Sequence, residues 1–207
     1  MQTLRGMKER ANKKIIGERY GFFTVLLAFF VISFLGWAHE TLLMLVTYGK
    51  FYDRGFLFLP FCPIYGFPVC SLYLLIGAPH KGRFADGFNQ KLKNTHPVNR
   101  GILRYFCYFL LSGGYATLVE LLVGLALESV GISLWTYCAE PYNFRGHICL
   151  QVSLFWGFAL TVLMRFAFLP LLRLLAKLGK RKTMAISIFL SVLLAVDFTC
   201  NALAYFL

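Results

Sequence analysis

Acidic residues are scarce in this chain, nine Asp and Glu among 207, and charge of either sign reaches only 14%. Soluble domains carry about 25% charged and about 45–50% apolar residues. Here 58% are apolar and the mean hydropathy is +0.66, an excess that a core of this size cannot hide from water. A water-soluble globular class is excluded, and the chain reads as an all-α integral membrane protein. The six cysteines (Cys62, Cys70, Cys107, Cys138, Cys149 and Cys200) lack any CxxC or other ligand spacing, so neither a metal site nor a cofactor is expected. Phosphate-binding glycine loops and nucleophile motifs are also missing. Catalytic residues are therefore unknown, the balance leans away from an enzyme, and an ATPase driving this protein has to be a separate chain.

What is present is five apolar runs, at 20–46, 57–78, 102–127, 148–172 and 184–207. About 20 helical residues cross about 30 Å of hydrocarbon, so five transmembrane helices are expected. A basic segment precedes the first run, but that run far exceeds the ~7–15 apolar residues of a signal peptide and is read as a retained span. The net charge of +12 is unevenly placed. Six Lys and Arg precede the first span, six lie between spans two and three or just inside the third, and five lie between spans four and five. The other two loops hold only Lys50, Arg54 and Arg145. Basic loops stay on the cytoplasmic side. The expected topology has the N-terminus inside and the C-terminus outside, with 1–19 a basic cytoplasmic segment and 20–207 one transmembrane domain. The same rule accounts for the charge without nucleic acid as a partner and makes membrane lipid the nearer one. Cys62, Cys138 and Cys149 fall near the outer face, where a disulfide is permitted; which two would pair is open.

An internal repeat is visible. Arg54–Phe67 (RGFLFLPFCPIYGF) aligns without gaps on Arg145–Phe158 (RGHICLQVSLFWGF), with five of 14 positions identical. Each segment follows a span carrying a glutamate toward its outer end, Glu40 in one and Glu120 in the other. Spans 1–2 and 3–4 then form a parallel two-helix repeat about an axis along the membrane normal, with the fifth helix outside it. Ionisable residues inside spans are costly and face a bundle interior or a wet cavity. Counting helical rise puts Glu40 and Glu120 at the level of Arg54 and Arg145. A cation where a helix begins opposes the macrodipole, so Glu40 with Arg54, and Glu120 with Arg145, are the expected compensating pairs. They either pin helix ends or line an outward-facing polar pocket.

Ser33, Trp37 and Glu40 share one helical face, as do Ser112, Ala116 and Glu120; small and polar neighbours of this kind suit helix packing rather than lipid. Asp197 and Asn201 are one turn apart within the fifth span and serve either as interhelical glue or as a proton or cation site. Pro60, Pro63 and Pro68 sit at the start and in the outer half of span 2, where a proline in the first turn is tolerated and the deeper Pro63 and Pro68 imply a kink. The 128–147 loop is dense in aromatics, with Trp135 and Tyr137 expected at the interface.

Several motifs form one set: GW-x-x-E at Gly36–Glu40, D-R-G-F-L at Asp53–Leu57, P-x-x-P-I-Y-G at Pro60–Gly66, and W-x-Y…N-x-x-G-x-I-x-L-x-x-S-x-x-W-G from Trp135 to Gly157. Together they resemble the bacterial membrane proteins described as putative type IV ABC-transporter permeases, across nearly all of residues 20–160. Asp53 and Thr136 depart from the family pattern, which has Asn and an acidic residue there. The resemblance implies a multi-pass protein of the bacterial plasma membrane and a linked outer-face set: Trp37, Glu40, Arg54, Gly55, Pro60, Pro63, Tyr65, Gly66, Glu120, Trp135, Tyr137, Asn143, Gly146, Ser153, Trp156 and Gly157. The leading expectation is a transport-related permease or substrate-binding component. Its polar outer-face site is built from the Glu/Arg pairs of two similar halves, and it works with an ATPase or other membrane subunit or as a homo-oligomer. Two alternatives stand beside it. One is a membrane-embedded enzyme acting on a lipid or lipid-linked substrate at the outer leaflet; the other is a structural or regulatory membrane subunit.

Overall fold

The structure, a computed structural model, describes residues 20–51 and 57–206. The basic N-terminal segment, Asp53, Arg54 and Gly55 lie outside the described residues. Among the described residues, seven helices and one short hairpin follow in order: α1 (Phe22–Tyr48), α2 (Pro63–Leu75), α3 (Arg83–Lys91), α4 (Pro97–Ser129), β1 (Asn143–Phe144), β2 (Ile148–Cys149), α5 (Leu150–Phe166), α6 (Phe168–Ala176) and α7 (Lys180–Phe206). Three of these, α1, α4 and α7, are long and apolar enough to cross a membrane, and α5 with α6 makes a fourth if the broken pair is one span. The all-α expectation holds, with helix bounds near those anticipated for the first, third and fifth runs.

The other two apolar runs differ from continuous helices. Helix α2 has 13 residues, or about 20 Å at ~1.5 Å per residue, and its first residue is Pro63. A proline suits that position because its missing N–H would go unpaired there anyway. Residues 57–62 are irregular instead. In the fourth run the helix starts only at Leu150 and breaks at Ala167. Pro170 lies three residues beyond the break; its ring cannot share a helix with the carbonyl of Phe166, four residues back.

The chain forms two compact units, Leu72–Phe168 and a discontinuous one holding the described residues up to Ser71 and from Leu169 onward. In the discontinuous unit α1 packs against α7, where the Ser187 hydroxyl donates to Phe23 O at 2.9 Å. Helix α2 crosses α1 at Gly66. A Cβ there would stand 2.6 Å from Phe29 O and would also strike the Ser33 hydroxyl, so only glycine permits the crossing. In the continuous unit α4 and α5 cross at Gly113 and Gly157. A Cβ on Gly157 would stand 2.9 Å from Phe109 O, and one on Gly113 would stand 3.2 Å from Ser153 O. Small residues that let backbones meet are the usual device of helix packing in lipid. Ser112 and Thr161 join the same crossing by donating to Gly157 O at 3.3 and 2.7 Å. Gly114, by contrast, faces open space. Nearer the start of α4, amphipathic α3 packs Phe84 against Tyr108 with ring centroids 5.2 Å apart. The buried Tyr108 hydroxyl donates to Gly77 O at 2.7 Å.

The irregular stretch 57–62 packs against α1 and α7, two helices long and apolar enough to cross a membrane. Its partner Ser33 is about 17 Å along α1 from Phe22, and its partner Asp197 about 26 Å along α7 from Lys180, at ~1.5 Å per residue. Backbone inside hydrocarbon has no water to bond and must be satisfied by protein. Asp197, 7% exposed, supplies both carboxylate oxygens: Phe58 N–H donates to one at 3.0 Å and Leu59 N–H to the other at 2.8 Å. Phe61 N–H donates to Leu59 O at 2.7 Å and Cys62 N–H to Ser33 O at 2.9 Å. Pro60 and Pro63 have no N–H to satisfy. From 58 to 63, every backbone donor either has a partner or does not exist.

Candidate functional site

The end of the continuous unit that carries the 130–149 loop is built on one stripe of α4. Glu120, Gly124 and Glu128 are spaced four apart and so lie one above another on a helix face. The following loop lies along that stripe. Tyr137 O–H donates to Glu120 Oε1 at 2.8 Å, and the His147 ring rests on Gly124, where a Cβ would come within 2.9 Å of it. His147 Nε2 pairs with Glu128 Oε2 at 3.1 Å. Trp135 Nε1–H donates to His147 O at 3.0 Å and Tyr137 N–H to Gly146 O at 2.8 Å, tying the two sides of the loop together.

A hairpin closes this loop, with Asn143 opposite Cys149 and Phe144 opposite Ile148. Its turn carries Arg145 at φ 54° and Gly146 at φ 71°. Two central residues with positive φ match the right-handed twist of hairpin strands. Glycine takes that conformation freely, whereas a residue with a Cβ loses about 1–2 kcal/mol. Space is tight at Gly146 as well, since a Cβ would stand 2.5 Å from Cys138 Sγ. Asn143 braces the turn: its Oδ1 accepts from Gly146 N–H at 3.2 Å, and its Nδ2 donates to Glu140 O at 2.7 Å. Between loop and helix lies a cavity of about 320 Å³, open on one side, whose polar lining includes Glu128, Thr136, Arg145 and His147.

The expected Glu120–Arg145 ion pair is not formed. Arg145 is exposed at the hairpin turn, five residues before α5 begins, and is not at a helix start. Glu120 is 9% exposed and takes its hydrogen bond from Tyr137; its Oε2 has no partner among the described residues. Equal height along the membrane normal placed Arg145 level with Glu120, but the hairpin turns it elsewhere. Glu40 has a matching arrangement, accepting a hydrogen bond from Tyr65 O–H, with the Tyr65 ring packed onto Gly36. Arg54, its expected partner, lies outside the described residues.

Among the remaining candidates, Trp37 is half-buried against Phe34. Trp156 is half-buried and stacks edge-on with Phe155. The Ser153 hydroxyl donates to Cys149 O at 2.9 Å, back along its own helix start. Asp197 accepts from the backbone of the irregular stretch 57–62, and Asn201 Nδ2 donates to its Oδ1 at 2.9 Å within the same helix. Among the described residues Cys62, Cys138 and Cys149 form no disulfide with one another. Among the described residues no His, Cys, Asp and Glu cluster could hold a metal ion. The sequence reading passed over the Glu128–His147 pair and the Asp197 clamp. The first had a signal in Gly124, spaced four from both glutamates. The second had none, because its acceptors' partners are backbone N–H groups.

Residues 27–202 match the protein family described as Putative ABC-transporter type IV. No curated protein matches the chain, and no solved structure does.

Proposed function

The chain belongs to the putative type IV ABC-transporter family, and from that premise we propose that it is a permease or substrate-binding component of the bacterial plasma membrane, with polar outer-end sites centred on tyrosine-bonded glutamates. Transport-related membrane character follows from the family and the apolar helices. The finer reading adds five crossings, N-terminus inside and C-terminus outside, in two similar halves. Lys and Arg placement supports the orientation. The second crossing pairs the short α2 with the stretch 57–62, whose backbone donors from Phe58 to Cys62 are met by protein.

Support for the duplication comes from the two helix crossings. The step along the chain that carries Glu40 onto Glu120 also carries Phe29 onto Phe109 and Ser33 onto Gly113. The step that carries Arg54 onto Arg145 carries Cys62 onto Ser153 and Gly66 onto Gly157. In each unit the phenylalanine carbonyl meets the glycine of the next helix, and the Ser33 or Gly113 backbone meets Cys62 or Ser153. Each glutamate is then held by a tyrosine hydroxyl, Tyr65 from a helix in one half and Tyr137 from the loop in the other.

The observation that carries the reading is the second oxygen of Glu120, buried and without a partner among the described residues while Tyr137 holds the first. A buried acceptor in this state costs about 1–3 kcal/mol. A ligand N–H or O–H arriving at the outer end would recover that energy. The energy source in this reading is a separate ATPase chain. The test is purification in native-lipid nanodiscs with mass spectrometry of co-purifying small molecules and proteins. The wild type is expected to carry a small solute and an ATPase subunit. The Glu40→Gln, Glu120→Gln double variant, which keeps both tyrosine bonds, is expected to keep the ATPase and lose the solute. A solute retained at equal occupancy in the double variant, or none in the wild type, overturns the proposal.

A further inference from the structure

The cavity beneath the Arg145 hairpin is distinct from the Glu120–Tyr137 bond: its lining runs from Gly124 to His147 and does not include Glu120. Its polar groups are of opposite sign and held by different elements. Glu128 rides on the last turn of α4, 66% exposed at its side chain and steadied by His147. Arg145 projects from the turn, and its guanidinium has no anionic partner among the described residues. Thr136 adds a hydroxyl, and Leu127, Ile132, Leu134 and Trp135 supply apolar walls.

Strained backbone concentrates at ligand clamps, and Arg145 holds a left-handed conformation (φ 54°) that glycine would hold at less cost. What the arginine contributes in return is a forked donor, suited to carboxylate or phosphate. The cavity volume is near the lower bound of about 300 Å³ for small-molecule sites, so it admits one small group and not a chain. We propose that this cavity binds a small zwitterion, its carboxylate or phosphate on Arg145 and its ammonium on Glu128. The inference rests on the permease reading for its purpose and on the cavity for its chemistry.

Two sources carry that chemistry: a free amino acid in the external medium, or the headgroup of an outer-leaflet phosphatidylethanolamine. The purified protein is placed in nanodiscs of phosphatidylcholine and phosphatidylglycerol, with and without phosphatidylethanolamine. Binding of radiolabelled glycine and of phosphoethanolamine is then measured, with acetate and ethylamine as single-charge controls. Both zwitterions are expected to bind and both controls to fail. Competition by phosphatidylethanolamine assigns the site to the headgroup, and glycine binding indifferent to that lipid assigns it to a free solute. Loss of one charge-assisted partner is expected to weaken binding by about tenfold or more in Arg145→Gln and in Glu128→Gln. Arg145→Gly is expected to lose binding equally while its melting temperature stays level or rises, which separates a ligand role from a folding role. Failure of both zwitterions at millimolar concentration, equal binding of the controls, or wild-type binding by Arg145→Gln overturns the site. Arg145-dependent binding in a protein whose solute ignores Glu40 and Glu120 would sink the proposed function alone; the converse pattern would sink this site alone.

Discussion

Asp197→Ala removes the buried acceptor of two backbone N–H groups. Phe58 N–H at 3.0 Å and Leu59 N–H at 2.8 Å both lose their partner, and Asn201 loses one of its contacts. Leaving a buried donor unsatisfied costs about 1–3 kcal/mol, so two of them cost about 2–6 kcal/mol. A domain's whole stability is about 5–15 kcal/mol, so this loss is large. Asp197→Asn keeps the size and one carbonyl oxygen, which satisfies one of the two N–H groups; its expected loss is about 1–3 kcal/mol. Wild type, Asn and Ala variants should therefore rank in that order. Reversible unfolding in mixed micelles, followed by tryptophan fluorescence, gives the free energies, and hydrogen–deuterium exchange of the 57–62 peptide localises the effect. Faster exchange confined to that peptide in both variants is the expected signature. An Ala variant within about 0.5 kcal/mol of wild type, the range of an ordinary surface substitution, would refute the role assigned to Asp197.

Two further outcomes follow from the same geometry. Gly66→Ala and Gly157→Ala each force a methyl onto a facing carbonyl, with separations of 2.6 and 2.9 Å from Phe29 O and Phe109 O. Overpacking of this kind costs about 1–3 kcal/mol, so both should melt lower than wild type in the same unfolding assay, Gly66→Ala the more so. Tyr137→Phe takes the remaining hydrogen bond from Glu120, whose other oxygen already lacks one. A loss of about 1–3 kcal/mol is expected, and much of it should return in Tyr137→Phe combined with Glu120→Leu, since replacing both partners by apolar groups leaves nothing unsatisfied.

Much of this architecture is legible in the sequence, and the limits have physical causes. The runs that became α1, α4 and α7 are long and apolar with few charges, and only a helix satisfies such a backbone in lipid. The run at 57–78 has the same composition, but composition does not distinguish a helix from an extended stretch whose donors are met by another chain segment. The prolines were the signal, and Pro63 marks the helix start. The break at Ala167 was signalled likewise by Pro170. At the candidate site, Glu40, Tyr65, Glu120 and Tyr137 stood out in the sequence, yet their pairing did not. Counting rise along a helix fixes height and leaves azimuth free, so Arg145 was an equally good partner on paper. The hairpin that carries it away is only seven residues long, and its signal was the Arg-Gly pair at the turn.

The clamp on residues 58 and 59 also bears on how the protein is made. Its carboxylate lies 139 residues downstream of Phe58, an interval of roughly 7–28 s at synthesis rates of ~5–20 residues per second. Throughout that interval the first two apolar runs are present and the group that completes them is not. The continuous unit, Leu72–Phe168, has its internal partners within its own stretch and finishes first. Until the last helix is made, the Phe58 and Leu59 N–H groups lack the acceptor that Asp197 supplies. Biogenesis therefore runs from the middle outward, and a chain stalled before Asp197 carries its defect at its beginning.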